Sequence, residues 1–102
     1  MHMVVGVVRV DLRFHEVHSL KDKRSRIARL LNRLRSHLPI SVAEVGWQNL
    51  HQRCLIGVSV CCGTESQARS MFARMEEEIM ASGLAEVVDL DFEYLHYGEE
   101  IR

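Results

Sequence analysis

Cationic side chains crowd one stretch of this 102-residue chain. Lys21, Lys23, Arg24, Arg26, Arg29, Arg33 and Arg35 stand within fifteen residues, with Asp22 the one acid among them. Guanidinium and ammonium groups on an exposed helix face neutralise phosphates and release counterions, which binds RNA without reading its sequence. Projected at about 100° per residue, Arg26, Arg29 and Arg33 fall within about 60° of one another, opposite a stripe of leucines. Lys21, Lys23, Arg24 and Arg35 flank that stripe. The plainer reading is a solvated face, or one paired with Glu76, Glu77 and Glu78 further along the chain.

Lys21, Lys23 and Arg24 also crowd a helix N-terminus, where the peptide dipoles favour anions and a cation costs up to about 1 kcal/mol. A bound phosphate or carboxylate would relieve this, since N–H groups and cations would converge on it. Ser19 and Asp22 could equally offset the penalty alone. A small enzyme with an anion site at residues 19–24 is the weakest of the readings that follow. A polar turn adds Arg53 to the candidate nucleic-acid or anion-binding set, together with Trp47, Gln48, His51 and Gln52. The Trp could stack a base, or simply close the edge of the core.

Other chemistry lacks its residues. Cys54, Cys61 and Cys62 cannot form a complete disulfide set and have no Cys-x-x-Cys spacing. Neighbours in a strand point to opposite faces, so Cys61 and Cys62 do not chelate as a pair. His15 and His18 offer two imidazoles with only Glu16 nearby, short of a metal site. No nucleophilic triad can be placed and there is no Gly-rich phosphate loop. No cofactor and no catalytic residue are expected.

The elements that must position these residues are legible. Val8, Val10, Leu12 and Phe14 alternate with Arg9, Asp11, Arg13 and His15, the period of a strand with one buried face. Ser19 and Asp22 have capping-box spacing. A helix follows from Leu20 to His37, its apolar face made by Leu20, Ile27, Leu30, Leu31, Leu34 and Leu38, and Pro39 stops it. Residues 40–47 read as a second strand, 48–53 as a turn and 54–62 as a third strand. Thr64 with Gln67 starts a second helix carrying Ala68, Met71, Phe72, Met75 and Ile79 on one face, and Gly83 suits a left-handed cap. Val88, Leu90, Phe92 and Tyr94 alternate with Asp89, Asp91 and Glu93 in a last strand, and a polar tail is expected from about residue 97.

This order predicts an α+β fold, a ferredoxin-like βαββαβ two-layer sandwich with two helices on one face of a four-stranded antiparallel sheet. One domain spans residues 1–102. First and last strands would be neighbours, setting Arg9 and Arg13 against Asp89, Asp91 and Glu93 on the open face. That face lacks the aromatic platform of an RNA-recognition motif. Net charge is −1, yet residues 1–64 carry ten Lys/Arg against four acids and residues 65–102 three against ten. Such asymmetry points to a partner, or to two halves attracting each other. The apolar run 3–8 is too short to span a membrane and lacks the basic lead of a secretory signal, so a cytoplasmic protein without membrane attachment is expected.

Several blocks resemble the YlxP-like family: Val4-Val5-Gly6-Val7-Val8-Arg9-Val10, Ser19-Leu20-Lys21-Asp22-Lys23-Arg24, Ser41-Val42-Ala43-Glu44-Val45-Gly46, Gln48-Asn49-Leu50-His51-Gln52-Arg53 and Leu55-Ile56-Gly57-Val58. These are small bacterial proteins with a domain of unknown function and a ferredoxin-like fold. The family more usually has Glu at Asp22, Asp at Asn49 and Trp at His51. The resemblance implies the same fold, and the family's gene neighbours, translation initiation and ribosome maturation factors, imply an RNA- or ribosome-linked role. Three readings stand: a non-enzymatic module binding RNA or the ribosome through the first helix; a protein–protein module or homodimer using the open sheet face near Val5, Val7 and Leu55; and the small enzyme.

Overall fold

Alternating valines and charges give the first strand two different faces, and the rest of the molecule is arranged around that difference. A computed structural model describes residues 2–98. Its elements run β1 (Met3–Arg13), α1 (Leu20–His37), β2 (Ser41–Gly46), β3 (Arg53–Cys62), α2 (Glu65–Ser82) and β4 (Glu86–Tyr97). The strands form one antiparallel sheet in the order β2-β3-β1-β4. This is the ferredoxin-like α+β sandwich that the element order predicts.

Val4, Val8, Val10 and Leu12 of β1 are buried beneath the helices, with Ile56 and Val58 of β3, Ile27, Leu30 and Leu34 of α1, and Phe72, Met75 and Ile79 of α2. Each such side chain contributes about 1.5–3 kcal/mol by leaving water. Gly6 lies in the same row of β1, where a β-carbon would stand 2.9 Å from Cε2 of Phe72. The missing side chain lets α2 sit down on the central strand.

The caps differ in a way their residues explain. At α2, Gln67 N–H donates to Thr64 Oγ1 and Thr64 N–H returns to Gln67 Oε1, both at 3.2 Å, completing the box. At α1, Asp22 N–H donates to Ser19 Oγ at 3.1 Å, but only this half of the expected box forms. An Asp side chain is one methylene shorter than the Glu that usually reaches back. Gly83 ends α2 at φ 66°, the left-handed cap its position called for.

β4 departs from simple alternation. Asp11 pairs with Asp89 but Leu12 with Val87, so Val88 bulges out and is exposed. Val87 takes the inward place the alternation gave to Val88. The bulge also shifts Arg13 opposite Glu86, while Arg9 meets Asp91 as expected, Nη2 to Oδ2 2.8 Å. The strand runs on to Tyr97, the first residue of the expected polar tail, and residues 99–102 of that tail lie outside the described residues. No helix among the described residues is long and apolar enough to cross a membrane.

Candidate functional site

Lys23 organises the end of the sandwich where α1 begins. It is 1% exposed, and its Nζ donates to the backbone carbonyls of Trp47, at 2.7 Å, and Leu50. Both belong to the turn between β2 and β3, so one ammonium ties the start of the helix to a loop more than twenty residues away. The turn is closed further by Leu50 N–H to Trp47 O at 3.0 Å. Trp47 holds φ at 62°, a conformation side chains of its bulk rarely adopt. This aims its carbonyl at Lys23 while its ring takes the Arg53 guanidinium at 4.9 Å. The strand loop before α1 joins the same end: Phe14 N–H donates to Gln52 O at 2.8 Å and Gln52 Nε2 to Val17 O at 3.4 Å. Between them lies a cleft of about 410 Å³ lined by Val17, His18, Leu50, His51, Gln52 and Arg53.

Two blocks far apart in sequence, residues 19–24 and 48–53, are thus one structural unit. The expected cations divide within it. Lys21, Arg24 and Arg29 are exposed on α1. Arg26 is half-buried, its Nη1 donating to His15 O at 2.9 Å, a contact that leaves its charge unmatched. Arg33 is held by Glu78, Nε to Oε2 2.9 Å, and Glu78 also takes His37 Nδ1 at 2.9 Å. Arg35 donates to Val42 O at 2.8 Å.

Three members of the candidate set therefore stand elsewhere than expected. Lys23 is inside the molecule, consumed by two carbonyls. Its place was readable, since it lies four residues before Ile27 and seven before Leu30, within the apolar stripe rather than beside it. Arg33 is on the flank facing α2, and its charge is answered by a carboxylate. Arg53 is in the other layer: its guanidinium grips Asp11 on the open sheet face, Nη2 to Oδ2 2.7 Å and Nε to Oδ1 3.2 Å. Trp47 accompanies it beside Arg9, Asp11 and Leu55, neither closing the core nor standing with the helix cations. That His18 and His51 line one cleft carried no sequence signal.

Electrostatics at this end keep the Cys54 thiol protonated. The Cys54 thiol is buried and donates to Glu44 Oε2 at 3.5 Å; burial first, and the Glu44 charge second, push it up to about 12. A thiol so disposed is not a nucleophile at neutral pH. Among the described residues no three His, Cys, Asp or Glu side chains converge as a metal-holding group. What the arrangement offers is a rigid helix start carrying unmatched positive charge.

The model of the family described as a protein of unknown function, DUF503, matches residues 5–92. The chain belongs to this family. It is similar to the uncharacterized protein YlxP of Bacillus subtilis (strain 168), 25% identical over 72 residues that cover 71% of this chain and 78% of the relative. Among solved structures it is similar to the de novo designed protein Foldit4, with 15% identity, TM-score 0.47, and coverage of 95% of this chain and 98% of that one. LarC2, the C-terminal domain of a cyclometallase, has 6% identity and TM-score 0.49, with coverage of 96% and 58%. Likenesses this weak carry no functional inference.

Proposed function

We propose that the protein is a non-enzymatic binding module that holds structured RNA against the first turns of α1. The carrying observation is that Lys21, Arg24, Arg26 and Arg29 lie on one rigid helix segment and none of them is in an ion pair among the described residues. Such a segment fits a phosphate backbone and reads no base edges. The RNA-linked role implied by the family resemblance points the same way. Lys23 acts as the positioning residue, fixing the helix start to the turn 47–50.

Fluorescence anisotropy with a labelled RNA hairpin tests this. Binding of the wild type should weaken with salt, and the triple variant K21E/R24E/R29E should bind more than about tenfold more weakly. R74E, on exposed α2, should bind as the wild type does. Salt-insensitive binding, or a triple variant that binds normally, removes the reading.

One observation favours a second reading. Val45, Trp47, Leu95 and Tyr97 are all exposed on the open-sheet side, around the half-buried Val5, Val7 and Leu55. A second copy of the chain seated there would bury them, and sedimentation equilibrium distinguishes a dimer from a monomer.

A further inference from the structure

Among the described residues β4 is paired on one side only, with β1. Beyond the bulge at Val88, residues 89–97 keep unbroken register with residues 3–11. Alternate backbone N–H and C=O groups along the outer side of such a strand have no partner strand. Edge strands are commonly blunted by proline, lysine or short length, yet β4 is twelve residues long and contains no proline, lysine or arginine. Its two faces differ sharply. Asp89, Asp91 and Glu93 are exposed on the open side, while Leu90, Phe92 and Tyr94 alternate with them on the helix side, half-buried or exposed.

The inner side of β4 already displays a strand that suits this pattern. Val8 and Val10 lie opposite Phe92 and Leu90, and between them Arg9 meets Asp91 in the ion pair described above.

We propose that the outer edge of β4 accepts a fifth strand from a partner protein, an extended segment in which Lys or Arg alternates with apolar residues. Backbone hydrogen bonds would continue the sheet, the partner's cations would meet Asp89 and Glu93, and its apolar side chains would extend the row of Leu90, Phe92 and Tyr94. A second copy of β4 does not fit. With no lysine or arginine in the strand, and His96 already held by Glu65, no register of two such edges answers the carboxylates. The edge's negative charge likewise rejects nucleic acid, so this surface is separate from the α1 segment.

The probe is a short synthetic peptide alternating arginine with valine, compared with the same peptide N-methylated at every residue. Amide hydrogen exchange followed by NMR should show alternate amides between residues 89 and 97 gaining protection with the unmodified peptide alone. D89K/E93K, which spares the Arg9–Asp91 pair, should bind it about tenfold more weakly through loss of two cross-strand ion pairs. Should that variant fail to fold, the comparison of the two peptides on the wild type still decides. Equal binding of both peptides, protection confined to other elements, or edge amides already protected in a self-associated protein would each overturn the proposal, as would protection of the edge by RNA.

Discussion

Lys23 shows how one side chain can join two distant parts of a chain. Its burial is tolerable because two carbonyl oxygens replace the water it gives up. Removing the ammonium leaves the Leu50 carbonyl without the donor that Lys23 supplies, and the Trp47 carbonyl with the Leu50 N–H alone. Lys23→Ala should therefore cost about 1–3 kcal/mol of stability, measured by urea denaturation. It should also speed amide exchange at Leu50, whose N–H bond closes the turn. A variant as stable as the wild type would mean the ammonium is not what holds the turn. Cys54 sits at the same end with its thiol pushed up to about 12, so it contributes stability that is intact below the ordinary thiol range near pH 9 and is lost as pH rises toward 12.

Among whole elements, α1 has its positive charge answered by α2 on one flank and unmatched at its start. The flank with Arg33 and His37 is fastened to α2 through Glu78, whose carboxyl lies below its ordinary range, first through the His37 hydrogen bond and then through Arg33. A depressed carboxyl contributes stability above its unfolded value, and that contribution disappears as pH falls through the folded one. Glu78→Gln should thus be less stable than the wild type at neutral pH, with the gap closing in acid. Denaturation series across pH measure this, and a gap independent of pH would assign the effect to packing rather than charge. At the start of α1, where Asp22 is the one acid of the first turn, Lys21, Arg24, Arg26 and Arg29 form no ion pair among the described residues.

At the scale of the whole molecule, charge separates by layer and by end. Positive charge is unmatched at the start of α1, carboxylates line β4, and the open face between them is occupied by the internal pairs Arg9–Asp91 and Arg53–Asp11. The number of free cations makes a quantitative statement about RNA. Four phosphate contacts, from Lys21, Arg24, Arg26 and Arg29, predict that log affinity falls against log salt with a slope of about −3 to −4. A slope of about −6 would require Lys23, Arg33 and Arg53 to leave the partners described above. Salt titration of the wild type with the RNA hairpin measures it.

Element types, their order and the sheet they form follow from local features: period-two alternation, helical spacing of leucines, Thr64, Pro39 and Gly83. The elements are decided by neighbours within a few residues, and right-handed crossovers then leave them one sheet topology, so the fold was legible before any tertiary contact was known. Side chains pass that limit when they reach across the chain. The bulge at Val88, the grip of Arg53 on Asp11, the capture of Arg33 by Glu78 and the cleft that His18 and His51 line each bring together residues dozens of positions apart. Which cations remain free depends on which acids and carbonyls the packed layers bring within bonding distance, and only the tertiary structure decides that. Lys23 stands between the two cases, since its inward place was written in the helical period but its partners were not.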